Sequence, residues 1–182
     1  MPKALVFLTN GFEEMETVAP VDFLRRAGVD VTLAAVGLGN DLLATGRNEM
    51  VMRADAPLAS VAGEAFDLVV VPGGPGHATL RKDDAVLEIL RSHAARGARV
   101  AAICAGPTVL LSAGLLEGRA CTAHFSVAGA LTGIRDESVV RDGNIITSRG
   151  AGTAHIFALA LVEALCGKEA AAEIAASTCL PA

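Results

Sequence analysis

Four short apolar runs recur along the chain, at residues 3–9 (KALVFLT), 29–36 (VDVTLAAV), 67–71 (DLVVV) and 100–103 (VAAI). Runs this short, bounded by turn residues and rich in Val, Leu and Ala, read as strands buried on both faces. The segments between them carry apolar residues at helical spacing. After Asn10-Gly11, a helix opens with Glu13, Glu14 and Glu16 and places Met15, Val18, Phe23 and Leu24 among its apolar positions. Arg25, Arg26 and Gly28 close it with cations and a glycine cap. Asp83 or Asp84 caps a second helix reaching about Arg96, with Val86, Ile89 and Leu90 inward and Gly97 at its end. Strands alternating with helices predict an α/β fold with a covered parallel sheet.

The remainder fills in less regularly. The region 37–53 is variable, with a short strand near 49–52. A short strand is predicted at 119–122, and Ser126 is a candidate cap for a helix reaching Leu131. Residues 138–141 and 144–148 form a hairpin around Asp142-Gly143, a strong turn signal. A long helix over 154–165 ends at Gly167, and an alanine-rich helix follows over 168–176.

Composition narrows the class. The 182 residues suffice for one domain over 1–182 with a sizeable core. The chain is 52% hydrophobic but has no Trp or Tyr and six Phe, so the core is aliphatic. A net charge of −5 without a Lys/Arg cluster argues against nucleic acid or an anionic membrane as partner. The chain goes straight into a strand, which leaves no room for a signal peptide, and no apolar run reaches membrane-spanning length. Cys104, Cys121, Cys166 and Cys179 stand singly, without metal-finger spacing. They are expected to be reduced thiols in the cytoplasm rather than a disulfide framework or a zinc site.

Cys104 stands apart from the other thiols. It follows the run 100–103 directly and precedes Ala105-Gly106-Pro107, with Pro107 suited to a first helical turn. Such a strand-to-helix turn lifts one side chain above the sheet edge and aims backbone N–H groups at it. Helix-start N–H groups also favour the thiolate. Pro72-Gly73-Gly74-Pro75-Gly76 follows another strand and belongs at the same edge, where its glycines let N–H groups converge on an anion. Glu16 lies in the turn after the first strand, the place where open α/β folds bind ligands. Glu13 and Glu14 are read as complements to the helix dipole. Cys121, Cys166 and Cys179 read as filler, and His77, His93 and His155 as structural or solvated. Arg26 and Arg47 are candidates for an anion near the site or for a dimer seam, with solvated surface arginine the preferred reading.

At Glu13-Glu14-Met15-Glu16-Thr17, Pro72-Gly73-Gly74, the stretch 101–108, Ser148-Arg149-Gly150-Ala151-Gly152-Thr153 and the stretch 157–165, the sequence resembles the ThiJ/PfpI superfamily. It is most similar there to the branch of the Parkinsonism-associated deglycase. The resemblance implies a flavodoxin-like three-layer sandwich and a homodimer. It also implies a reactive Cys104, a protonated Glu16 donating to the Cys104 thiolate, a histidine at His124, and oxyanion donors in the Gly74 and Ala105 backbone N–H groups. Two negative charges in contact repel, so one of the Cys104–Glu16 pair must hold a proton. Ala105 stands where protease-like members carry histidine, and Ser126 where amidotransferases carry glutamate, so both of those activities are disfavoured. Pro75 also departs from the usual residue at the pocket rim. The function implied is a cofactor-independent enzyme acting on 2-oxoaldehydes or their glycated adducts. The rival readings are a redox sensor or chaperone built on an oxidisable Cys104, and a flavin module, against which the absence of Trp and Tyr counts.

Overall fold

The structure, a computed structural model, describes residues 1–180. In chain order the first half comprises β1 (Lys3–Leu8), α1 (Glu14–Arg26), β2 (Asp30–Ala35), β3 (Leu43–Thr45), β4 (Val51–Arg53), β5 (Ala56–Pro57), α2 (Leu58–Val61), β6 (Leu68–Val71) and α3 (His77–Leu80). The second half comprises α4 (Asp84–Ala95), β7 (Arg99–Ile103), α5 (Pro107–Ser112), α6 (Phe125–Ala128), β8 (Val139–Asp142), β9 (Ile145–Ser148), α7 (Ala154–Cys166) and α8 (Lys168–Ser177). The main sheet has seven strands in the order β5-β2-β1-β6-β7-β9-β8. All neighbours are parallel except β8 and β9. This is a flavodoxin-like α/β sandwich, as the resemblance implied.

The apolar runs become central strands because each has two faces to bury. In β1, Ala4, Val6 and Leu8 pack under α1, α7 and α8, while Leu5 and Phe7 face the core under α2, α4 and α5. The four residues of β6 divide in the same way, and all are buried. Each fully buried Val or Leu contributes about 1.5–3 kcal/mol, so these strands anchor the fold. Helix ends follow the sequence signals. Glu13 caps α1 by accepting from the Glu16 N–H at 2.8 Å. Asp83 caps α4 by accepting from Ala85 and Val86.

Three expectations are corrected. Residues 119–122 do not form a strand, because β8 occupies the outer edge of β9. Only Cys121 pairs, in an isolated bridge with Ile134, its N–H donating to Gly133 O at 3.0 Å and its O accepting from Arg135 N–H at 2.8 Å. Ala120 N–H donates to Asp142 Oδ2 and Thr122 N–H to Thr147 Oγ1. The helix predicted to reach Leu131 ends at Ala128, and its cap is the His124 ring rather than Ser126. The strand near 49–52 begins at Val51 and pairs with β3 as a separate two-stranded ribbon.

From β1 the chain builds outward to β2 and β5, then returns across both and β1 to reach β6, so the connections diverge between β1 and β6. Open α/β sheets bind ligands at the carboxyl ends of strands flanking such a point. The loops after β1, β6, β7 and β9 meet there. No helix among the described residues is long and apolar enough to cross a membrane.

Candidate active site

Cys104 leaves β7 at φ 62°, left-handed backbone in a residue that is not glycine. That conformation costs about 1–2 kcal/mol, and the surroundings enforce it. Cys104 N–H donates to Ser148 O at 2.9 Å, and Cys104 O accepts from His124 N–H at 3.0 Å. The second bond fixes the Cys104–Ala105 peptide plane, so the Ala105 N–H points the opposite way, toward the sulfur. Gly106 makes the tight turn possible. A Cβ there would lie 2.5 Å from Val71 O and 2.9 Å from Ile103 O.

Glu16, 1% exposed, reaches the sulfur from the first turn of α1. Its carboxyl hydrogen-bonds the Cys104 side chain and accepts from Gly73 N–H at 3.1 Å. Burial pushes the Glu16 carboxyl up to about 7, with Glu13 adding to the rise and Cys104, Gly73 and Arg47 opposing it. Burial, then the charge of ionised Glu16, pushes the Cys104 thiol up to about 12, while the Gly74 and Ala105 N–H groups pull it back. Above about pH 7 the pair therefore retains a single proton. A Cys104 thiolate exists there only when Glu16 carries that proton.

The sulfur opens into a cavity of about 350 Å³ lined by Arg47, Gly74, Pro75, His77, Ala105 and His124, among others. His124 Nδ1 faces Ser126, accepting from its N–H at 3.3 Å and lying 2.8 Å from its hydroxyl. A neutral ring with Nδ1 as acceptor bears its hydrogen on Nε2. The exposed Phe125 ring lies 4.0 Å from the imidazole, centroid to centroid.

All five predicted site residues thus meet at one sheet edge. Three residues whose preferred readings were surface, structural or dipole-complementing lie at the site. Arg47 stands at the cavity rim, and His77, read as structural or solvated, lines the cavity. Glu14 anchors the 46–50 loop by accepting from the Asn48 N–H and side-chain amide at 2.6 and 2.9 Å. Burial opposes its ionisation, but those hydrogen bonds win and hold the carboxyl below its ordinary range. A lone histidine or a second helix-start glutamate carries no local signal for such roles. Arg26, by contrast, pairs with Asp22 on the surface of α1, and His93 is buried with Phe66 N–H donating to its ring. Among the described residues, no three His, Cys, Asp or Glu side chains converge as a metal-binding set.

The close approach of Gly73 gives a direct test. A Cβ there would lie 2.3 Å from Glu16 Oε2 and 2.6 Å from Cys104 Cβ. Gly73→Ala is expected to cost about 1–3 kcal/mol in denaturant unfolding, as overpacking does. It should also separate the pair, which slowed alkylation of Cys104 would report.

The chain matches the sequence profile of the DJ-1/PfpI family over residues 2–164. It is 42% identical over 177 residues to Protein dj-1beta of Drosophila melanogaster, covering 94% of each chain. It is 36% identical over 172 residues to the glutathione-independent glyoxalase DJR-1.2 of Caenorhabditis elegans, covering 92% of this chain and 90% of that one. The crystal structure of Drosophila DJ-1beta superposes with a TM-score of 0.95 at 40% identity, over 100% of this chain and 99% of the other. Profile, identity along nearly the full length and shared fold agree: this chain belongs to the DJ-1/PfpI family.

Proposed function

We propose that the protein is a cofactor-independent enzyme that converts 2-oxoaldehydes such as methylglyoxal to 2-hydroxy acids, and that Cys104 is its nucleophile. One observation carries this reading: a cysteine lifted on a strained turn shares a proton with a buried glutamate, under two converging N–H groups. The family includes a protein named as a glutathione-independent glyoxalase, which supports the substrate class.

Cys104 sulfur adds to the aldehyde carbon, and the Gly74 and Ala105 N–H groups receive the developing oxyanion. Glu16 first gives the proton it holds to that oxygen. As a carboxylate it then takes the hydrogen from the aldehyde carbon and returns it to the neighbouring one through an enediol, with the His124 Nε2–H as donor to the second oxygen. The aldehyde carbon is thereby oxidised and the ketone carbon reduced, so no outside electron acceptor is needed. A thioester remains on Cys104, and water hydrolyses it to lactate. A glycated amine or thiol adduct enters by the same early steps, which makes deglycation the companion activity. The test is lactate formation from methylglyoxal without glutathione, followed by NMR. Absence of lactate, together with selective oxygen addition at Cys104 in mild peroxide, would favour the redox-sensor reading instead. We place the protein in the cytoplasm, where its four free thiols stay reduced.

We also propose a homodimer. On α1, Met15 is 56% exposed and Val18 44%, and Met50 beside them is 58% exposed. With Ala19 and Phe23 they line one shallow apolar groove, a surface that a second copy would cover. Light scattering after size-exclusion chromatography should report a dimer for the wild type and a monomer for Val18→Glu. A monomeric wild type at micromolar concentration would refute the assignment.

A further inference from the structure

Hydrolysis of a thioester needs a base for the incoming water: either Glu16, a carboxylate again once it has returned its proton to the substrate, or a second group in the cavity. Glu16 accepts from Gly73 N–H, and His124 turns its N–H rather than its lone pair away from Ser126. His77 has the opposite arrangement. It opens α3 with its own N–H donating to Gly74 O at 3.1 Å, one turn from the loop that faces the sulfur. Its Nδ1 lies 2.8 Å from Thr108 Oγ1. Thr108 is 3% exposed, and its one hydroxyl proton is directed to Ala105 O at 2.7 Å. The hydrogen between Thr108 and His77 must therefore come from the imidazole.

That assignment leaves the lone pair on Nε2. No described residue hydrogen-bonds this nitrogen, and the ring lines the Cys104 cavity. Burial, aided by the nearby Arg81 charge, lowers the His77 pKa and keeps the ring neutral. The two imidazoles of one cavity thus present complementary edges, a donor from His124 and an acceptor from His77.

We propose that His77 Nε2 is the general base that activates water against the acyl-Cys104 intermediate; this rests on the cysteine acyl chemistry proposed above. The water oxygen bonds to the acyl carbon while its proton passes to Nε2 and then to solvent. The C–S bond breaks, its electron pair returns to Cys104, and the acid departs as carboxylate. Nothing is oxidised or reduced in this step.

The test uses p-nitrophenyl acetate, which acylates a reactive cysteine without involving a 2-oxoaldehyde. His77→Asn retains an N–H donor toward Thr108 and removes the base. Its p-nitrophenolate burst is expected to match the wild type, while deacylation slows about 10²-fold, the usual scale of a lost general base. Acetylated Cys104 should then accumulate in intact-mass spectra, and hydroxylamine, a nucleophile that needs no base, should discharge it at the wild-type rate. Unchanged deacylation would overturn the assignment. So would a burst and a melting temperature that fall together, since His77 would then only tie α3 to α5. If the wild type shows no burst, the proposal fails with the acyl chemistry beneath it. If it forms no lactate but shows the burst and the His77 effect, the substrate reading fails and the His77 assignment stands.

Discussion

Cys104→Ser is expected to remove methylglyoxal turnover by at least about 10³-fold, the scale seen when a covalent nucleophile is lost, while the fold survives. Serine is slightly smaller, keeps the polar atom at the same place on the turn, and meets the same φ of 62°. The chemistry fails for another reason. An alcohol is far more basic as an anion than a thiol, so a Glu16 carboxyl with a pKa about 7 cannot leave its proton in place beside an alkoxide. The Gly74 and Ala105 N–H groups stabilise negative charge near the sulfur, but they do not bridge that gap. Lactate formation and thermal unfolding, measured on the same preparations, separate the two consequences. Residual turnover near the wild-type rate in Cys104→Ser would end the proposal that this residue is the nucleophile.

Glu16→Gln is expected to produce the second large effect, and it has two faces. The first is chemical. In the wild type, alkylation of Cys104 should follow loss of the first proton from the pair, at a pH of about 7. Glu16→Gln leaves no acid to receive that proton. The Glu16 charge is gone as well, but burial still opposes the thiolate, so the alkylation midpoint moves up from about 7 into the range of an unassisted thiol. Each step of one pH unit is tenfold in thiolate, so alkylation at pH 7 should fall by about tenfold or more. Turnover should fall further, by roughly 10²–10⁴-fold, because the proton shuttle is lost as well.

The second face is thermodynamic. The folded-state pKa of Glu16 is raised from 4.5 to about 7. Between those values the folded protein holds a proton that the unfolded chain has released. The stability from this group is thus fully present below pH 4.5, declines as pH rises, and is gone above about 7. The difference amounts to about 3 kcal/mol. Glutamine is neutral throughout, so Glu16→Gln should gain stability relative to the wild type between pH 5 and pH 8. A stability difference that stays flat over that range would contradict a raised Glu16 pKa.

Much of this was legible before any coordinates. The double-sided apolar runs at 3–9, 67–71 and 100–103 became β1, β6 and β7, each within one residue of its predicted ends, because aliphatic stretches without alternation have no solvent face to offer. The Asp142-Gly143 turn held, with Gly143 at φ 59°. So did the Asp83 cap of α4, which depends only on atoms two or three residues apart, whereas Glu13, read as a complement to the helix dipole, proved to be the N-cap of α1. Cys104 stood out for the same local reason, since a strand running into Gly-Pro allows little besides a tight turn. What failed depended on neighbours distant in sequence. The stretch 119–122 has strand-like residues, but β8 is the strand that flanks β9, and of the stretch only Cys121 pairs, with Ile134. Met15 and Val18 keep helical spacing with Phe23 and Leu24, yet only the latter two are buried.

The chain's local chemistry therefore settled which segments are strands, where the helices begin and end, and which thiol is set on a turn. Tertiary structure settled what stands opposite that thiol. It brought Glu16 beside the sulfur across Gly73, turned the Ala105 N–H inward by anchoring Cys104 O to His124, and oriented the His77 and His124 rings through Thr108 and Ser126. A proton's position depends on every dipole within a few ångströms, and those dipoles come from four separate strand ends. Periodicity along one strand of sequence does not encode that meeting, because it is produced only when the sheet closes β1, β6, β7 and β9 into one edge.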